Sequence, residues 1–229
     1  IEIEQLESIL IKKNSGVFKA IYKKQEIYIK IIPLHSKLEI QILSNFIHSP
    51  NLLFILNLNH FNALYLSNVG ETLNHLIFKK YFIKISYFDF LNLLLKLFNI
   101  LLEFHSLNYI HFDLSINNIT ILNNQPFLID FGISEQTTNG FVTGGFRKGW
   151  HGTKAPEIRK NGPPLNHSVD IFSMGIIIRD LLFHCAQFDQ YQLKEISQLY
   201  KEMIHINPSD RIHTSTIIQN IQSLLDQIP

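Results

Sequence analysis

The period of the apolar residues changes once along this chain, and that change restricts the folds open to it. Up to residue 66 the apolar side chains alternate in short runs such as Val17 to Tyr22 and Glu26 to Ile32, with one helical segment, Ser36 to Phe46, after them. Alternation is the mark of strands with one buried face. After Leu73 the pattern becomes mostly helical, and Leu91, Leu94, Leu95, Phe98, Leu102 and Phe104 recur at helical spacing before a loop at residue 111. The expected fold class is therefore α+β: a small sheet-rich lobe at 1–66 and a mainly helical lobe at 71–229. Ser67-Asn68-Val69-Gly70 is turn-prone and reads as the hinge between them. No internal repeat is visible.

At 229 residues the chain suffices for one compact unit or for two small lobes sharing a cleft, and 46% hydrophobic residues can supply their cores. With 20 Lys and Arg against 19 Asp and Glu, there is no global field to draw in nucleic acid or an acidic membrane, so neither is an expected partner. Cys185 is the only cysteine, which excludes an internal disulfide framework and a cysteine-based zinc site. An intracellular setting, cytoplasm or nucleus, is expected, and no secretory leader is recognisable. The most membrane-like stretch, Phe90 to Leu107, is interrupted by Asn92, Lys96, Asn99 and Glu103 and reads as a buried helix.

Five strings follow one another in order: Tyr28-Ile29-Lys30; His111-Phe112-Asp113 with Asn118; Asp130-Phe131-Gly132; Ala155-Pro156-Glu157; and Asp170 with Arg211. Together they resemble the motifs of a eukaryotic-type protein kinase domain of the serine/threonine kind, and the resemblance spans nearly the whole chain. It implies a bilobal fold and transfer of the ATP γ-phosphoryl group to Ser or Thr hydroxyls of a protein substrate, with Mg²⁺. Such transfer needs a positioned hydroxyl, aligned phosphates and cations more than covalent help.

By the resemblance, Asp113 accepts or orients the hydroxyl proton. Asn118, five residues on, is a ligand for a second Mg²⁺, and Asp130 holds the Mg²⁺ that bridges two phosphates. Lys30 matches the strand lysine on the α- and β-phosphates. Glu39 is its candidate partner, although Ser36 and Glu39 also fit a capping box at the start of their helix. Val17, Tyr28, Leu66 and Asn68 complete the expected nucleotide site. Glu157 with Arg211 and Asp170 are implied as scaffold. The Ala155-Pro156-Glu157 segment also disfavours a small-molecule kinase of the choline or aminoglycoside type.

Four departures stand out. Leu10, Lys12 and Ser15 occupy the glycine positions of the phosphate loop, with only Gly16 nearby. Tyr28 replaces the usual alanine over the adenine ring, where it either stacks on the base or blocks it. Phe112 replaces the arginine that would pair with a phosphorylated activation segment, which weakens the case for switching at Thr137, Thr138 or Thr143. Ser115 replaces the lysine used on the γ-phosphate. The first two leave open a pseudokinase serving as a scaffold or binding module.

The stretch Gly140 to Pro164 lacks a clean period and reads as a functional surface loop, with Arg147, Lys148, Trp150, Arg159 and Lys160 as a basic surface for substrate or partner. Too little chain lies between His184 and Leu193 for an extra docking helix, so a minimal large lobe is expected. Phe131-Gly132-Ile133-Ser134-Glu135 and the residues before Ala155 also resemble the cell-division kinase that fires replication origins, which would imply a regulatory subunit.

Overall fold

A computed structural model describes residues 5–7, 16–57, 61–143, 152–159 and 162–228, with side chains from residue 16 onward. The chain divides into two compact units, Ile1–Gly70 and Glu71–Pro229.

The first unit is built on an antiparallel sheet of β1 (Gln5–Glu7), β2 (Val17–Tyr22), β3 (Gln25–Pro33), β4 (Leu52–Asn57) and β5 (Phe61–Ser67), in the order β1-β2-β3-β5-β4. Alternation along the strands separates two faces. Ala20, Ile27, Ile29, Ala63 and Tyr65 are buried on one, with Phe54 stacked on Tyr65 at 4.0 Å between ring centroids. On the other, cross-strand partners form two rows: Val17, Lys30 and Leu64, then Lys19, Tyr28 and Leu66. The β2–β3 connection is a two-residue turn, Lys23-Lys24, with φ of 49° and 64° at the two positions. That left-handed pair suits the strand twist but suits lysine poorly. Helix α1 (Lys37–Asn45) follows β3 and buries Glu39, Ile42 and Leu43.

The second unit contains α2 (Leu73–Phe78), α3 (Tyr87–Ser106), α4 (Ser168–Leu182), α5 (Gln190–Met203) and α6 (Thr214–Asp226). The expectation of a mainly helical region holds, but two small sheets interrupt it. One orders β6 (Glu71–Thr72), β8 (Ile119–Leu122) and β9 (Gln125–Leu128) as β6-β8-β9; the other pairs β7 (Tyr109–Ile110) with β10 (Glu135–Gln136). Their strands are two to four residues long, too short to impose a visible alternation.

Helix α3 starts at Ser86, whose hydroxyl accepts the Asp89 N–H at 3.0 Å. Leu91, Leu94, Phe98 and Phe104 are buried as expected, whereas Leu102 is 41% exposed. The buried arc runs through Leu93, Leu97, Ile100 and Leu101, half the helix circumference, and Leu95 and Leu102 fall just past its edge. No helix among the described residues is long and apolar enough to cross a membrane. The stretch 183–189 between α4 and α5 holds no helix. These two helices approach closely at Gly175, where a Cβ would lie 2.6 Å from Ile204 Cγ2 and 2.9 Å from Met203 Cβ.

Candidate active site

In the first unit, β3 presents Lys30 on the face that α1 covers, and its ammonium forms an ion pair with Glu39. Glu39 is 4% exposed, and Ser36 makes no side-chain capping bond, so the glutamate serves the lysine rather than a capping box. Two residues back on the same face, Tyr28 is half-buried, with its hydroxyl 3.4 Å from Glu26 Oε1. Glu26 also pairs with Lys19 and accepts a 2.8 Å hydrogen bond from Asn68 Nδ2, while Asn68 Oδ1 accepts the Gly70 N–H at 2.8 Å. Leu66 is buried and Val17 is exposed. Leu10, Lys12 and Ser15 lie outside the described residues. Gly16 follows them, its carbonyl accepting the Ile31 N–H at 2.7 Å; a Cβ there would come within 3.1 Å of Ile31 Cβ.

In the second unit, the loop between β7 and β8 is tied to itself through Asn118. Its Nδ2 donates to the Asp113 carbonyl at 2.8 Å and to the Asp113 carboxylate at 3.0 Å. Both N–H donors of the amide are thus directed at Asp113, which leaves Oδ1 as the face offered to a cation. The Asn118 carbonyl accepts the Ile129 N–H at 3.0 Å, one residue before Asp130. His111 joins the same two segments: Nδ1 accepts the Asp113 N–H at 3.2 Å, so the proton sits on Nε2, which donates to Ile129 O at 3.2 Å.

Asp130 is exposed, with φ of 64°, a left-handed conformation that Asp tolerates and that clusters at functional sites. The next residue, Phe131, is 1% exposed and packs on Phe104 and His111 at 5.6 and 5.3 Å between centroids. The backbone therefore turns between a buried ring and an exposed aspartate.

The loop is held from below by Asp170 on α4, which is fully buried. Its carboxylate accepts the His111 N–H at 2.8 Å, the Phe112 N–H at 3.0 Å and His105 Nε2 at 3.0 Å. Burial by itself would raise the Asp170 pKa; the His105 hydrogen bond, the electrostatic influence of the nearby His105 and His111 and the His111 N–H outweigh it, and the carboxyl is held below its ordinary value. Sequence reading found Asp170 but missed His105, a single histidine inside a helical run, and His167, whose ring stacks on His105 at 4.3 Å. Burial and the His105 charge push the His167 pKa down to about 4.

Glu157 and Arg211 form a bidentate pair, Nη1 to Oε1 at 2.6 Å and Nη2 to Oε2 at 2.8 Å, both side chains being buried. Arg211 also donates to the carbonyls of His205 and Ser168, each at 2.9 Å, and lies over the Phe172 ring. Every direction of its planar fork is used.

The family model described as protein kinase domain matches residues 11–228. The chain belongs to that family. It is 32% identical over 128 residues, 55% of its length, to a probable serine/threonine-protein kinase PLK of Dictyostelium discoideum. It is 31% identical over 124 residues, 52% of its length, to the mitogen-activated protein kinase p38a of Drosophila melanogaster. The aligned part spans 13% and 33% of those two proteins.

Within this kinase domain Phe112, the residue standing where an arginine is usual, belongs to an apolar cluster with Ile110, Val142, Ala155, Leu165 and Val169. Its φ is 65°, and its side chain is 4% exposed. Val142 and Leu165 are also joined by a β-bridge, so backbone hydrogen bonds together with apolar packing hold the ends of the 140–164 loop. Thr137 is buried, and Thr138 and Thr143 are exposed. Of the expected basic surface, Arg159 is exposed, while Arg147, Lys148, Trp150 and Lys160 lie outside the described residues.

Among the described residues no three His, Cys, Asp or Glu side chains gather as a metal site. The oxygen donors present, the Asp130 carboxylate and the Asn118 amide oxygen, fit a hard cation that keeps waters and phosphate oxygens in its remaining positions.

Proposed function

We propose that this kinase domain transfers the γ-phosphoryl group of ATP to a serine or threonine hydroxyl of a protein, with Mg²⁺. The observation that carries the reading is Asn118 donating both to the carbonyl and to the carboxylate of Asp113. That arrangement fixes a carboxylate acceptor while aiming an amide oxygen elsewhere. Asp113 takes the hydroxyl proton as the oxygen attacks, a role that needs hydrogen-bond reach and an ionised group. Asp130 and Asn118 would hold Mg²⁺, which supplies charge neutralisation at the phosphates. Lys30, oriented by Glu39, would place the α- and β-phosphates.

The serine/threonine preference rests on the names of the relatives and on the motif pattern. A narrower place beside the origin-firing kinase, with a regulatory subunit, would rest only on the short matches around residues 131–135 and 147–157. A second reading is favoured by Tyr28: a half-buried tyrosine on the Lys30 face could deny the base its place and leave a scaffold.

Thermal shift with Mg²⁺ and ATP decides between them. ATP at 100 times its dissociation constant stabilises the native state by about 2.7 kcal/mol. The kinase reading expects a raised midpoint in the wild type that loses its Mg²⁺ dependence in Asp130→Asn. A shift seen only in Tyr28→Ala would establish the scaffold instead.

A further inference from the structure

Between Lys96 and Arg147 the chain contains no lysine or arginine, although Asp113, Asn118 and Asp130 all lie in that stretch. Two carboxylates that meet a polyphosphate need positive charge beside them, because like charges repel more strongly where water is excluded. Ser115, two residues past Asp113, offers none. It is 3% exposed, and its hydroxyl accepts the Asn117 N–H at 3.3 Å.

The far end of the 140–164 loop carries a lysine, Lys154, into this neighbourhood. Thr153, 6% exposed, donates its hydroxyl to the Leu114 carbonyl at 2.8 Å. Ala155, 1% exposed, shares the apolar cluster of Phe112. The residues on either side of Lys154 are thus fixed to the residues on either side of Asp113. Glu157, paired with Arg211, anchors the same segment two residues further on.

We propose that Lys154 is a catalytic residue whose ammonium contacts the γ-phosphoryl group of ATP beside Asp113; this rests on the kinase reading above. Its surroundings agree: partial burial lowers the Lys154 pKa, and the Asp113 charge raises it in turn, so the ammonium is partly stripped of water and lies within the field of that carboxylate. In the transfer, the bond from the acceptor oxygen to the γ-phosphorus forms as the bond from that phosphorus to the β–γ bridging oxygen breaks. ADP leaves with the electron pair and the hydroxyl proton passes to Asp113. Lys154 keeps its protons throughout and offsets charge on the transferring group.

The test uses the full chain and two readouts on Lys154→Met and Lys154→Arg. Calorimetry with Mg²⁺ compares ADP with a non-hydrolysable ATP analogue, which differ by the γ-phosphoryl group; turnover is followed as ADP release. Lys154→Met is expected to bind ADP as the wild type does, to bind the analogue about tenfold more weakly, and to turn over about 100-fold more slowly. Lys154→Arg should recover most of both losses, and its ADP affinity reports folding independently. Equal affinities and turnover within threefold of wild type in Lys154→Met overturn the assignment and leave the kinase reading intact. Lost turnover with an unchanged preference for the analogue makes Lys154 a positioning residue, which also overturns it. A wild type that binds neither nucleotide overturns the kinase reading and this assignment together.

Discussion

Replacing Asp170 by asparagine changes one oxygen to an amino group and leaves the volume of α4 unaltered. The aspartate accepts three hydrogen bonds, two at Oδ2 from the His111 N–H and His105, and one at Oδ1 from the Phe112 N–H. Asparagine has a single acceptor oxygen, so in either orientation of the amide at least one buried backbone N–H faces an NH₂ group. An unsatisfied buried donor costs about 1–3 kcal/mol, and loss of the charge-assisted bond to His105 adds to it. The left-handed φ of 65° at Phe112 is held by these same contacts and relaxes when they go. The expected loss is about 2–3 kcal/mol, or roughly 4–12 °C in midpoint for a chain of this size. The loss should be local to the second unit. Amide exchange resolved at His111 and Phe112 should therefore speed up about 30- to 150-fold, following the tenfold per 1.4 kcal/mol rule. If Asp170→Asn keeps both amides protected within threefold and unfolds at the wild-type midpoint, the loop is held by something other than this carboxylate.

Arg211→Met strands the buried Glu157 carboxylate and should cost about 3–5 kcal/mol by thermal unfolding, whereas Glu157→Leu with Arg211→Met should cost less than the single change. The reverse order would show that Glu157 supports the fold through contacts other than this ion pair, because both variants lack the arginine equally. Lys23→Asn with Lys24→Gly gives the β2–β3 turn residues at ease with φ of 49° and 64°, and should raise stability by about 1 kcal/mol in urea unfolding. A loss would mean that the Lys23 ammonium over the Tyr22 ring, 5.2 Å from its centroid, outweighs the backbone strain. His167 has a native pKa of about 4 against 6.5 unfolded, so between those values the unfolded chain binds the extra proton and stability falls as pH falls from 6.5 to 4. After discounting for its partial exposure, about 1–2 kcal/mol should be lost over that window, and His167→Gln should flatten the urea-midpoint profile by that amount. A profile unchanged by the substitution would place the titration elsewhere.

The chain's own pattern determined the strands β2 and β3, the helices α1 and α3 to within about three residues at each end, and the order of Lys30, Asp113, Asn118, Asp130, Glu157, Asp170 and Arg211. These are legible because period is a local property and because each motif places a charged or amide group where an ordinary core would not. The short sheets of the second unit were not legible, since two to four residues carry no period. Nor was the outcome at Glu39, where a capping box and an ion pair suit the same sequence and only the approach of β3 to α1 selects the pair. Phe112 reads from sequence as a lost arginine; packed with Val142 and Leu165 it becomes an apolar anchor for the loop. His105 and Lys154 carry no signal in their neighbours. Each acquires its meaning from a residue far along the chain, because hydrogen bonding and charge act through distance in space, which only the folded backbone sets.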